Sequence, residues 1–180
     1  MSLYARVAAL PLVIDRVELD PLEQAVPSGW VRRTTLIRLC GGGHEGVGED
    51  VIWNDEDHRL LCEEAELPLA GEQTFDAFSR RLDEIELFPQ PPSRSDCGLY
   101  RRWGFESAAL DLALRQAGLS LAEALGRTPQ PLRFVVSTGL GDPPSLEPLR
   151  RRLELYPDMR FKLDYGAEWN AELLAELAAL

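Results

Sequence analysis

At 180 residues and 45% hydrophobic content, the chain is long enough to bury one domain, or one domain and part of a second, and too apolar to be a disordered segment. Thirty acidic against 19 basic side chains give a net charge of -11, scattered rather than gathered in a tail, which excludes the basic footprint of a nucleic-acid binder. Cys40, Cys62 and Cys97 are odd in number and widely spaced, without a CxxC pair, and predict reduced thiols in a cytoplasmic protein rather than a zinc site or a secreted disulfide scaffold.

The first apolar run, Val7 to Ile14, is too short for a membrane helix, is broken by Pro11, and lacks the basic start and cleavage site of a signal peptide. It predicts an approach to a strand. Val13 to Leu19 partly alternates, Trp30 to Cys40 is rich in β-branched residues, and Pro27-Ser28-Gly29 punctuates the two, so a pair of strands and a loop are expected. Gly41-Gly42-Gly43 turns the chain, and Glu45 to Trp53 returns as the third strand of an antiparallel meander. Phe75, Phe78, Leu82 and Ile85 recur at helical spacing, and Pro89, Pro91 and Pro92 end that helix and open a linker.

From Gly104 onward, Phe105, Ala108, Ala109, Leu112 and Ala113 form one apolar stripe, while Leu110, Leu114 and Ala117 form another, so this helix is expected to be buried on most sides. Gly118 stops it. Ser120-Leu121-Ala122-Glu123 has the S-x-x-E pattern of a capping box, before a short helix closed by Gly126. The rest alternates strand (Leu132 to Thr138), helix (Leu146 to Leu155), strand (Met159 to Asp164) and helix (Trp169 to Leu180), the pattern of a parallel sheet or barrel.

Most conventional site motifs fail on context. Gly41, Gly43 and Gly46 satisfy G-x-G-x-x-G, but a strand-like run follows where a phosphate-binding helix must open, which favours a hairpin turn. His44 and His58 have no partner at metal-ligand spacing and are expected in surface or loop positions. Ser107 and Ser137 lie in no nucleophile elbow, and Cys97 has no identifiable base. The strand Met159-Arg160-Phe161-Lys162-Leu163-Asp164 says more, because alternation puts Met159, Phe161 and Leu163 on one face and Arg160, Lys162 and Asp164 on the other. In a (β/α) barrel the outer face packs on helices and the inner face bears catalytic groups near the strand's C-terminal end. Lys162 is the only lysine; the other 18 basic residues are arginine. A compact ammonium chosen at this one place points to chemistry, against which stands a plain solvated Lys-Asp pair.

Together these residues resemble the enolase superfamily, in its mandelate racemase and muconate lactonizing branch. Gly46-Val47-Gly48-Glu49 in a meander is similar to the G-x-G-E segment of that family's capping domain. Glu106 to Leu114, with Gly118 and Leu125-Gly126, is similar to its A-x-D-x-A-L helix hairpin, and Phe161-Lys162-Leu163-Asp164 falls where the family carries K-x-K. The resemblance implies an α+β capping domain over residues 1–128 and the first two βα units of a TIM-type barrel over residues 129–180. It also implies magnesium as cofactor and abstraction of a proton α to a carboxylate, in a dehydratase, racemase, cycloisomerase or o-succinylbenzoate synthase. Lys162 matches the first lysine of K-x-K, whereas Asp164 replaces the second, so Lys162 is expected in an electrostatic or acid role, with Asp164 as its partner or as the base. Substrate contacts are expected from Ser137 and Thr138 and from the loops Asp20 to Ser28 and Asn54 to His58. The family's metal ligands lie on barrel strands beyond the second, so this chain is expected to supply none and to be inactive alone. Its expected partners are a small carboxylate, a C-terminal barrel portion and further copies of itself, with no nucleic acid or membrane. The contrasting reading is a non-catalytic α+β binding or assembly module that docks a partner through the apolar stripe Trp169, Leu173, Leu177 and Leu180.

Overall fold

The computed structural model describes residues 2–26 and 29–180. Pro27 and Ser28, part of the expected loop between the first two meander strands, lie outside the described residues. Two compact units, residues 1–129 and 130–180, divide the chain.

In the first unit the Ser2 hydroxyl caps α1 (Leu3–Val7), and β1 (Pro11–Ile14) follows. The meander is β2 (Arg16–Ala25), β3 (Val31–Gly41) and β4 (His44–Asp50), antiparallel throughout, with Arg16 opposite Cys40 and Gly41 opposite His44. Its second hairpin turns on Gly42 and Gly43, whose φ values of 56° and 79° belong to a tight turn that favours glycine at both central positions. The G-x-G-x-x-G match is therefore a hairpin, as the strand-like residues after Gly46 predict. Next come α2 (Asp55–Glu64), β5 (Gly71–Thr74), α3 (Phe75–Arg81), α4 (Cys97–Ala117) and α5 (Leu121–Leu125). Ser120 and Glu123 complete both halves of the expected capping box on α5.

The core forms where α4 lies across the meander. Ile37 and Leu39 from β3 meet Phe105, Ala108 and Leu112 from α4, all 0% exposed. Burial of each large side chain is worth about 1.5–3 kcal/mol. Opposite Leu39 and Ile37 in the β3–β4 register, Gly46 and Gly48 let the helix backbone approach: a Cβ on Gly46 would strike Ala108 O and Leu112 N, and one on Gly48 would strike Gly104 O. The segment Gly46-Val47-Gly48-Glu49 is thus a packing device for a sheet carrying a helix on one face.

Several expected elements differ. The run Val13 to Leu19 is divided at Asp15, since β1 leaves the meander and pairs antiparallel with β5. Gln116 side-chain hydrogen bonds to Val13 N and O, at 3.0 and 2.8 Å, occupy the other edge of β1. The third strand ends at Asp50 rather than Trp53, and α2 follows, a helix not expected from the sequence. The helix α3 ends at Arg81, although Ile85 still packs against the core from the turn beyond. The long helix begins at Cys97, inside the expected linker.

In the second unit β6 (Val135–Thr138), α6 (Glu147–Leu155), β7 (Arg160–Leu163) and α7 (Ala171–Ala178) alternate, with the two strands parallel. Leu140, Leu146 and Leu149 form its small core, packed by Phe161, Leu163, Trp169, Leu173 and Leu177. Among the described residues no helix is long and apolar enough to cross a membrane.

Candidate functional site

Strand β7 carries Lys162, and Asp164 follows directly after the strand, which is shorter at both ends than the expected Met159 to Asp164. Phe161 and Leu163 turn into the core beside α6 and α7, so alternation leaves Arg160 and Lys162 on the opposite, exposed face. Lys162 Nζ donates to Asp164 Oδ1 at 2.6 Å, with the two side chains 58% and 80% exposed. In the parallel register Ser137 stands beside Lys162 and Thr138 beside Leu163. Ser137 therefore shares the charged face, whereas Thr138 shares the apolar one and its hydroxyl donates to Gly139 O at 3.3 Å. An ion pair this exposed contributes at most about 1 kcal/mol and leaves the ammonium open to a ligand.

The two segments expected to contact substrate converge in the first unit, though neither is the expected loop. Asp20 to Ala25 belongs to β2, and Asn54 caps α2 by accepting from Glu56 N at 2.9 Å, which makes Asp55 to His58 the helix's first turn. Three acidic residues in that turn, Asp55, Glu56 and Asp57, suit the positive end of the helix. Between β2, β3 and α2 lies a groove of about 410 Å³, lined among others by Glu23, Arg33, Asp55, Arg59 and Cys62. Arg33 pairs with both Glu23 and Asp55, and Arg59 with both Glu56 and Glu63. The hydrogen bond from Arg59 holds the Glu56 carboxyl below the usual range, while burial pushes the Cys62 thiol up. The groove thus presents neutralised charges and a protonated thiol. The groove holds no activated nucleophile.

Beneath the groove sits a buried polar network that corrects the expectation for His58. It is 3% exposed, with Nδ1 2.9 Å from Thr35 Oγ1 and Nε2 3.2 Å from Ile52 O. A carbonyl only accepts, so Nε2 donates to it and the Thr35 hydroxyl serves Nδ1. The helix α2, absent from the expectation, is what carries His58 into the core; His44 is exposed, as expected. Asp50 Oδ2 lies 3.9 Å from His58 Nδ1 and accepts from Arg101 Nε at 2.7 Å. Arg101 is 0% exposed, also donates to Leu87 O and Asp57 O at 2.8 and 2.7 Å, and sits 3.7 Å above the Phe88 ring. The sequence signal for this network is Arg101 itself, four residues before Phe105 on the apolar stripe of α4, where only a buried acid could balance it.

Comparison with known proteins gives the family. A model described as the N-terminal domain of a domain of unknown function, DUF8230, matches residues 5–124, and the C-terminal domain of the same family matches residues 128–180. The chain belongs to the DUF8230 family. No curated protein matches this DUF8230 sequence. Among solved structures, muconate lactonizing enzyme from Pseudomonas putida is similar over 91% of this chain and 46% of that one, with 19% identity and a TM-score of 0.63. An L-Ala-D/L-Glu epimerase is similar over 94% of this chain and 58% of that one, with 18% identity and a TM-score of 0.47. The chain thus spans about half the length of the solved structures it matches. At this identity the first likeness is one of fold: the DUF8230 chain is α+β, with an antiparallel sheet and helices that resemble an enolase-superfamily capping domain.

Proposed function

We propose that this chain is the N-terminal part of a magnesium-dependent enolase-superfamily enzyme that abstracts a proton α to a carboxylate, its capping domain leading into the first two strands of a barrel. The observation that supports this most is the two-faced strand β7. Its apolar residues pack on helices, and its charged face sets Lys162 beside Ser137 of the parallel neighbour. An ammonium on the exposed face of a parallel strand suits a carboxylate substrate that gains negative charge as its α-proton leaves. Lys162 takes the electrostatic role, and Asp164 holds it in place.

Among the described residues no three His, Cys, Asp or Glu side chains converge on a magnesium site. In this reading the metal ligands belong to barrel strands of a longer protein. The contrasting assembly reading draws on the stripe Trp169, Leu173, Leu177 and Leu180, of which the first three pack against the core of the second unit and Leu180 is exposed. The packing of those three supports the barrel reading.

Asp164→Asn in the complete protein tests the assignment within the pair. Because the pair is exposed and worth at most about 1 kcal/mol, activity is expected to stay within roughly tenfold of the parent. Loss of α-proton exchange at every pH, with the fold intact by circular dichroism, would instead make Asp164 the proton acceptor.

A further inference from the structure

At the N-terminal end of the parallel strand pair in the second unit, two arginines stand together without a partner. Val135 of β6 lies beside Arg160, the first residue of β7, so Arg133, two residues before Val135, enters at the same end of the strands. Both side chains are exposed, and both line a groove of about 710 Å³ together with Phe134, Pro157, Asp158 and Met159. Arginines elsewhere find acids readily in a chain of 30 acidic and 19 basic side chains: Arg33, Arg38, Arg59 and Arg102 each engage two carboxylates. Among the described residues no carboxylate pairs with Arg133 or Arg160, Asp158 in the groove wall included, and neither guanidinium donates a hydrogen bond. Two like charges lining one groove repel each other, and an anion between them relieves that cost.

We propose that Arg133, Arg160 and Phe134 form a binding site for a small phosphate monoester, with the phosphoryl group on the two guanidiniums and an apolar ring on Phe134. Charge and geometry select a phosphoryl group over a carboxylate. A monoester brings about 1.5–2 negative charges at neutral pH and three acceptor oxygens to two planar forks, whereas a carboxylate brings one charge and two oxygens. Phe134 is 82% exposed in the groove, so a ring attached to the phosphate has an apolar face to cover. The groove volume falls within the roughly 300–1,000 Å³ of small-molecule sites. Asp158 opposes the ligand from the same wall, and weakens binding without neutralising the arginines. The site is separate from the chemistry proposed above: Lys162 does not line this groove, and in a (β/α) barrel catalytic groups gather at the other, C-terminal ends of the strands.

The test uses the uniformly ¹⁵N-labelled 180-residue chain at about pH 6.5, where a monoester with a second pKa near 6 is mostly dianionic. The arginine Nε–Hε signals are assigned by single Arg→Gln variants. Phenyl phosphate is expected to move the Arg133 and Arg160 signals together and saturably. Inorganic phosphate is expected to move the same two at higher concentration, and potassium chloride at equal ionic strength neither. Arg127, exposed in the first unit, serves as the internal control and is expected to stay still. Arg133→Gln and Arg160→Gln should each weaken phenyl phosphate binding about tenfold. Phe134→Ala should bring its affinity down to that of inorganic phosphate, and Asp158→Asn should tighten both ligands about threefold. Lys162→Met should alter neither. All these side chains are exposed, so the variants are expected to keep the fold, which circular dichroism checks. Movement that does not saturate, equal movement of Arg127, equal affinity for phenyl and inorganic phosphate, or full affinity in either arginine variant would overturn the site. So would a loss in Lys162→Met as large as that in Arg160→Gln, which would place the anion on Lys162 instead.

Discussion

Arg101→Met is expected to destabilise the first unit by about 3–5 kcal/mol, the usual consequence of leaving a buried charge without its partner. Asp50 and Arg101 are both fully buried, and Arg101 Nε supplies the 2.7 Å hydrogen bond to Asp50 Oδ2. After substitution that carboxylate keeps the backbone donor Ile52 N, 3.3 Å from Oδ1. Leu87 O and Asp57 O lose donors as well. Methionine fills much of the arginine stem's volume, so the loss reports polar groups left unsatisfied rather than a cavity. The measurement is the urea midpoint followed by circular dichroism, with Asp50→Leu and the double variant completing a cycle. The double variant is expected to cost less than the sum of the singles, because removing both charges leaves neither stranded. A loss below about 1 kcal/mol in Arg101→Met, or additivity in the cycle, would mean that the network does not hold β4, α2 and α4 together.

Lys162→Met in the complete protein is expected to lower turnover by at least about 10²–10³-fold, the typical cost of removing one group that stabilises developing negative charge. Stability should change by less than about 1 kcal/mol, since the side chain is 58% exposed and its partner Asp164 is exposed as well. The split between activity and stability carries the argument, because a structural lysine would affect the two together. Unaltered turnover would return Lys162 to a solvated pair on a strand end.

What the sequence made legible was local. The β-branched residues of Trp30 to Cys40, the glycine turn and the Ser120–Glu123 capping box specify the meander and the α4–α5 hairpin through contacts close in the chain. The Lys162–Asp164 pair follows from two-residue spacing across the end of one strand. By contrast, α2 was obscured because Asp55 to Glu64 is mostly charged and sets Leu60 and Leu61 side by side, giving weak periodicity despite its Asn54 cap. The β1–β5 pairing joins Pro11–Ile14 to Gly71-Glu72-Gln73-Thr74, a segment that opens on two residues of poor strand propensity, so burial of Leu12 and Ile14 decides it rather than local preference. The Asp50–Arg101 contact spans 51 residues, and no local pattern announces it. Trp30 and Trp53 meet only because the register of β3 on β4 brings their strand ends together.

Proton exchange at the carbon α to a carboxylate tests the central claim most directly. The complete protein would be incubated in deuterium oxide with magnesium and a panel of aryl-bearing, aliphatic and hydroxylated carboxylates, and solvent deuterium in the recovered acids followed by proton NMR. Enzyme-dependent loss of the α-proton signal, abolished by chelating the metal and by Lys162→Met, is the expected result. An intact, magnesium-loaded protein that leaves the α-protons of aryl-bearing, aliphatic and hydroxylated acids alike unexchanged would contradict it.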